Sequence, residues 1–143
     1  MSYKQHEIPM SISKVLSAND TGETGGHQAG MLIPKTGDIL SFFPQLGNET
    51  KNPRAKLRFL DNSNEAWDFM FIYYNNKFFN GTRNEFRLTG MTAFIRQNNL
   101  KAGDKIILTR EEDGSRLIKL ERAEQVESVN ILKLGSSWKV VKI

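Results

Sequence analysis

Ala-Trp-Asp-Phe-Met-Phe-Ile-Tyr-Tyr, residues 66 to 74, is nearly all apolar or aromatic, a composition expected of the central strand of a sheet. The turn formers Asn75 and Asn76 end it. On its N-terminal side, Ala55 to Leu60 alternates Lys56 and Arg58 with Leu57 and Phe59, the period of two of a half-buried strand. Further out, Glu7 to Leu16 and Ala29 to Pro34 read as strands around a loop containing Gly22, Gly25 and Gly26. On the other side, Asp104 to Thr109 and Arg116 to Glu121 are joined by Glu-Glu-Asp-Gly-Ser, a hairpin turning at Asp113-Gly114. Trp138 to Ile143 makes a last strand. Two short helices are expected: Gly37 to Phe43, ended before Pro44, and Met91 to Asn99, with apolar residues at 91, 94 and 95. Many short strands with two short helices imply a mainly β barrel or sandwich.

The 143 residues fit one domain, 1 to 143, large enough to bury a core without disulfides or metal. With no cysteine, disulfide frameworks, thiolate zinc sites and cysteine nucleophiles are excluded. No apolar run approaches membrane-spanning length, and the first ten residues lack the pattern of a secretory signal, so no membrane partner and a cytoplasmic location are expected. A net charge of +4 permits nucleic-acid binding without demanding it. Basic residues recur from Lys51 to Arg122, while acids concentrate in short loops such as Glu111 to Asp113.

Catalytic motifs fail on inspection. Asp20-Thr21-Gly22 matches the triplet of aspartic proteases, in which a dimer would supply the second carboxylate. That triplet needs apolar surroundings, and Ser17, Asn19, Glu23 and Thr24 are polar. The glycines from 22 to 26 lack the Lys-Ser or Lys-Thr pair of a phosphate loop. Glu49-Thr50-Lys51, with Asp38 upstream, has the spacing of a metal-dependent nuclease core, but Asn52-Pro53 breaks the required strand. His6 and His27 are too few for a histidine metal centre. No cofactor is expected, and no metal. The sequons at Asn19, Asn48 and Asn80 carry no meaning without secretion.

Two polar stretches remain. Ser-Ala-Asn-Asp-Thr-Gly-Glu-Thr-Gly-Gly-His-Gln runs from 17 to 28, and Gly-Thr-Arg-Asn-Glu-Phe-Arg-Leu-Thr from 81 to 89. In the second, Arg83, Glu85 and Arg87 alternate across Asn84 and Phe86, so an extended backbone puts the three charges on one face. A guanidinium matches the O6 and N7 acceptors of guanine, and a carboxylate accepts from the N4 amino group of cytosine. The face therefore suits G·C pairs in a major groove. Equally, it suits an exposed strand neutralising its own charges through ion pairs worth about 0 to 1 kcal/mol each.

Ser17-Ala-Asn-Asp-Thr-Gly with Thr24-Gly-Gly-His-Gln28, then Gly30, Ile33-Pro34, Ile72-Tyr73-Tyr74-Asn75 and Thr82-Arg83-Asn84-Glu85 with Arg87, resembles the N-terminal DNA-binding domain of EcoRII-type restriction endonucleases. The resemblance is strongest over residues 14 to 35 and 72 to 89. It implies the DNA-binding pseudobarrel shared with plant transcription-factor domains, an open barrel of about seven strands with short helices at its ends. It also implies double-stranded DNA as partner, gripped in the major groove by an N-terminal arm (17 to 28) and a C-terminal arm (81 to 89), with a separate nuclease domain following and no catalysis in the barrel. Carried onto matching positions, Arg83, Glu85 and Arg87 contact base edges, joined by Asn19, Asp20, Thr24, His27 and Gln28, with Thr21, Glu23, Asn84 and Phe86 in the same arms. Gly22, Gly25 and Gly26 let the first arm approach closely, while Lys14 and Thr82 hold phosphates. Gly81 and Phe86 stand where the family carries basic residues, which leaves Phe86 to pack inward or to touch a thymine methyl. Family targets are short sites with outer C·G pairs, often CC(A/T)GG. The alternatives are a dimeric aspartic protease using Asp20-Thr21-Gly22 and a barrel serving only protein contacts.

Overall fold

The structure, a computed structural model, describes residues 8–25, 30–123 and 137–141. Eight strands form one sheet in the order β2-β5-β4-β3-β7-β6-β1-β8. They are β1 (Met10–Val15), β2 (Met31–Ile33), β3 (Arg54–Leu60), β4 (Ala66–Tyr74), β5 (Glu85–Thr89), β6 (Lys105–Arg110), β7 (Arg116–Glu121) and β8 (Trp138–Val140). All neighbours are antiparallel except β3 and β7, which meet in parallel at Leu60 and Leu117. The two outermost strands are joined by a side chain rather than a ladder, because the Trp138 indole N–H donates to the carbonyl of Leu32, 3.1 Å away. The sheet thus curls almost onto itself, the pseudobarrel expected, with eight strands instead of seven.

The extra strand lies where the sequence showed only an arm. Glu85–Thr89 pairs with β4 on one side (Tyr74 opposite Glu85, Ile72 opposite Arg87) and with β2 on the other (Leu32 opposite Arg87). Its pleat sends Leu88 into the core, where the side chain is fully buried, and leaves Glu85 and Arg87 on the opposite face.

Inside, the period of two in β3, β4 and β6 buries Leu57, Phe59, Phe69, Phe71, Ile106 and Leu108 against one another. Helix α2 (Thr92–Gln97) adds Phe94 and Ile95, and Phe94 stands edge-on to Trp67 and Phe69 with centroids 5.0 and 5.9 Å apart. Four rings, Phe43, Phe71, Phe86 and Tyr73, stack in a column with interplanar angles of 7 to 13°. Arg110 belongs to the scaffold rather than to a charged surface: its guanidinium donates to the carbonyls of Ile8, Ser41 and Phe42 and ties the entry of β1 to the following loop.

Of the two expected helices, Met91 to Asn99 is found as α2, with Met91 and Asn98 as its caps. Gly37 to Phe43 contracts to a 3-10 turn, Leu40–Phe42, because Phe43 before Pro44 is already extended at ψ 157°. An additional helix, α1 (Ala18–Thr21), falls where a glycine-rich loop was expected. Ser17 and Asp20 form its capping box, and Gly22 ends it in the left-handed conformation at φ 85°. Proline at position 9 precedes β1, which starts at Met10 rather than Glu7. Ala29, Lys142 and Ile143, expected in strands, lie outside the described residues. Among the described residues no helix is long and apolar enough to cross a membrane.

Candidate nucleic-acid interface

The strand β1 ends at Val15, and the chain turns through α1 so that the first polar stretch leaves the barrel beside α2. What holds it there is an ion pair. The ammonium of Lys14 meets the Asp20 carboxylate at 2.5 Å, and both side chains are nearly buried, at 8% and 10% exposure. Asp20 also accepts from the backbone N–H of Ser17, closing the capping box. A second tie runs from Glu23, whose carboxylate accepts from the Thr21 hydroxyl and from the backbone N–H of Ala102 in the loop before β6. The Thr21 hydrogen bond, followed by that of Ala102, holds the Glu23 carboxyl below its usual range. Asn19, Thr24 and Gly25 face solvent, with Thr24 donating to Asn19 at 3.4 Å. Gly26, His27 and Gln28 lie outside the described residues.

The second stretch is a continuation of the β4–β5 hairpin. Glu85 sits between two arginines: Arg83 Nε donates to Oε1 at 3.0 Å and Arg87 Nε to Oε2 at 2.6 Å. Burial opposes ionisation of Glu85, but the two hydrogen bonds and the two positive charges outweigh it and hold its pKa below the usual value. The arginines are used unequally. Arg87 spends a further donor, Nη1, on the carbonyl of Gly30 at 3.1 Å, whereas Arg83 lies over the ring of Tyr74 with its central carbon 3.7 Å from the centroid. Among the described residues, the remaining donors of Arg83 are its two Nη groups, side by side at the end of a plane fixed by Tyr74.

Asn84 turns the other way. Its side-chain oxygen accepts from the Tyr73 hydroxyl at 2.6 Å, and its carbonyl from Lys35 at 2.9 Å. Phe86 is half-buried and stacked on Tyr73 at 4.1 Å, so it packs inward. Gly81 has a steric reason as well: a Cβ there would lie 2.9 Å from the Cβ of Asn76 and 3.1 Å from its carbonyl oxygen. Thr82 is exposed at the start of the arm.

The two stretches flank one cleft of about 460 Å3, lined by Asn19 and Asp20 from the first, Arg83 and its platform Tyr74 from the second, and Gly30 and Thr92 between them. Tyr74, Gly30 and Ala102 are the supports that reading the sequence missed as site residues. Tyr74 and Gly30 lie in motifs that carry the resemblance, but the place of Tyr74 beside the arm follows only from the β4–β5 ladder, where it lies opposite Glu85. The carboxylate of Asp20 is committed to Lys14 and to the capping box, which is unlike the proton-sharing carboxylate of an aspartic protease. Among the described residues no three histidine or acidic side chains are placed to hold a metal ion.

Residues 6–117 match the family described as restriction endonuclease EcoRII, N-terminal. The chain belongs to that family. It is 44% identical over 79 residues to the type II restriction enzyme EcoRII of Escherichia coli, an alignment covering 53% of this chain and 19% of the enzyme. Auxin response factor 10 of Arabidopsis thaliana is 30% identical over 119 residues, 83% of this chain and 16% of that protein. The chain therefore spans a fifth or less of these relatives. Among solved structures, the B3 domain of the UbaLAI restriction endonuclease, crystallised with cognate DNA, matches with a TM-score of 0.59 and 20% identity over 94% of this chain and 87% of that one. The Arabidopsis FUS3-DNA complex matches with a TM-score of 0.57 and 20% identity over 77% and 94%. These likenesses establish that the EcoRII N-terminal fold of this chain is the B3 pseudobarrel.

Proposed function

We propose that this EcoRII-type domain reads double-stranded DNA in the major groove with the arms 17 to 28 and 81 to 89, and that it is the non-catalytic recognition or effector part of a cytoplasmic restriction endonuclease whose nuclease domain lies elsewhere in the protein. The observation that carries the reading is the Arg83–Glu85–Arg87 face beside the cleft it shares with Asn19 and Asp20. The two Nη groups of Arg83 match the paired acceptors of guanine, and Glu85 retains lone pairs on both oxygens for a cytosine amino group. Arg87, braced on Gly30 through Nη1, orients Glu85 and has its Nη2 group left to offer. Lys14 serves as a positioning residue that holds α1 through Asp20, and Thr82 and the exposed Asn19 and Thr24 face the duplex. That two proteins of similar fold were solved in complex with DNA supports the partner.

The target is a short site with outer C·G pairs, of the CC(A/T)GG kind. Selection from a random duplex pool at one fixed salt concentration tests this, since salt alone changes protein–DNA affinity by orders of magnitude. Retained sequences are expected to converge on such a site. Retention without convergence overturns specific reading, and no retention of any duplex returns the barrel to a protein-contact role.

A further inference from the structure

The loop that joins β4 to β5 carries two adjacent phenyl rings outside the core: Phe78 is 51% exposed and Phe79 37%. Their neighbours are Asn75, Asn76, Lys77, Asn80 and Gly81, so the rings stand out of an otherwise polar tip. The loop holds them in a fixed shape. Asn75 is fully buried, its side chain accepting from the N–H of Asn52 and donating to the carbonyl of Thr50. The carbonyl of Asn76 accepts from both Phe79 and Gly81, and Phe78 donates to Asn75. Asn80 takes a left-handed conformation at φ 65°, and the bare Cα of Gly81 lets the returning chain pass over Asn76. A rigid support for exposed apolar rings is what a contact surface needs, because no ordering cost remains to be met on binding.

Position decides the partner. The backbone N–H of Lys77 donates to the carbonyl of Arg83 at 2.9 Å, so Lys77 lies across the hairpin from the arginine proposed to read guanine. Phe78 and Phe79 come one and two residues further toward the tip. Asn76–Phe78 forms a 3-10 turn rising about 2 Å per residue, so the second ring reaches roughly 4 Å beyond, on the order of one base-pair step. Lys77 adds a positive charge, its ammonium 5.6 Å from the Phe78 centroid, which suits a polyanion and disfavours a purely apolar partner. Phenyl rings make apolar contact with thymine methyls in the major groove.

Resting on the DNA-reading assignment above, we infer that Phe78 and Phe79 form an apolar foot that presses on the base-pair steps flanking the sequence read by Arg83 and Glu85, and so extends the footprint past the hydrogen-bonded bases. Phe78 and Phe79 are contact residues of this extension, and Lys77 holds the adjoining phosphate.

The test is a thermodynamic cycle. Wild type and the double variant Phe78→Ala/Phe79→Ala are titrated with the selected duplex and with the same duplex shortened by the flanking pairs on either side. Wild type should bind the full duplex roughly tenfold or more tightly than the variant, as expected for base–aromatic contacts. Shortening one flank should weaken wild type by a similar factor and leave the variant unchanged. The slope of affinity against salt should be the same for both proteins, because no charge is removed. The variant Phe78→Leu/Phe79→Leu, which keeps apolar bulk, should recover part of the loss, and equal thermal midpoints for all three proteins show that the rings are not scaffold. Equal response of wild type and variant to shortening overturns the inference while the reading of bases stands, and assigns the rings to a protein partner. Failure of wild type to bind the selected duplex overturns both.

Discussion

The guanidinium of Arg83 lies 3.7 Å above the ring of Tyr74, and this contact is what turns a flexible side chain into an oriented fork. Cation–π attraction contributes about 0.5 to 2 kcal/mol in such a pair. More to the point, it fixes the plane in which the two Nη donors point, and a fork fixed before binding loses less rotamer entropy when it meets guanine. Glu85 locks the remaining Nε, so orientation comes from two directions.

Replacement of Arg83 by Ala is expected to cost about 1 to 3 kcal/mol in specific binding and to relax preference at one base pair. Lys at the same position keeps the charge but loses the fork, so Arg83→Lys should retain most non-specific affinity and lose the same base preference. Tyr74→Leu, which removes only the platform, should fall between wild type and Arg83→Ala. Binding of a selected duplex and of its single-pair variants at one salt concentration measures all three. Wild-type affinity and preference in Arg83→Ala would remove the second arm from the interface.

The pair Lys14–Asp20 is nearly sealed from solvent, whereas Arg58–Asp68 is an open ion pair with 68% and 34% exposure. Removing one member of a buried pair strands the other, at a cost of about 3 to 5 kcal/mol, while an exposed pair contributes about 0 to 1 kcal/mol. Chemical denaturation should therefore separate Lys14→Met from Arg58→Ala by a few kcal/mol. On DNA, Lys14→Met should weaken all sequences alike by loosening the first arm. As a positioning residue, Lys14 should leave the salt slope unchanged when replaced, and a slope shallower by about 0.9 would return it to the phosphate contact that the resemblance implies.

Because the folded-state pKa of Glu85 is depressed, the bridge between the two arginines is present above the ordinary glutamate value of about 4.3 and is lost as pH falls through the lower folded value. Carboxyl carbon shifts of Glu85 followed by NMR should titrate below that ordinary value. Replacing either arginine with Ala should move the midpoint upward, since the hydrogen bond and the charge that oppose burial are then halved. The contribution of Glu85 to specific DNA binding, read as the difference between wild type and Glu85→Gln, should be insensitive to pH from neutrality down to the ordinary glutamate value. A Glu85 midpoint at or above 4.3, about the free-peptide figure, would show that the bridge does not form.

The strands were legible because burial imposes a period on them. Ala66–Tyr74 matches its expected bounds, and Ala55 to Leu60 and Arg116 to Glu121 agree to within a residue. The strand β5 was not legible as such, since its outward face consists of the residues that any charged arm would show, and only Leu88 marks its inward face clearly. Ser17 and Asp20 did carry a readable capping signal for α1, masked by the glycines that follow. In the site, the alternation of Arg83, Glu85 and Arg87 gave their common face directly. The roles of Lys14 and Gly30 did not follow from sequence, because both depend on partners brought together by the turn of the chain: Asp20 across the end of β1, and Arg87 across a separation of 57 residues.

Gly30 holds two functions in one atom-poor position. Its φ of +88° is left-handed, and an added Cβ would lie 2.5 Å from Thr89 Cγ2 and 2.8 Å from the carbonyl oxygen of Leu88, while its own carbonyl braces Arg87. Gly25 has a similar φ of +75° with nothing within 4 Å of an added Cβ. Backbone strain alone costs about 1 to 2 kcal/mol for an alanine in this region, so Gly25→Ala should lose no more than that. Gly30→Ala must in addition push β5 away from the chain entering β2, and its unfolding free energy should fall by clearly more than that of Gly25→Ala. Since the displaced carbonyl is the brace of Arg87, specific DNA affinity should fall in Gly30→Ala even at temperatures where the protein remains folded. Parallel denaturation and binding titrations on the two variants check both parts, and equal losses in the two proteins would show that Gly30 is no more than another turn glycine.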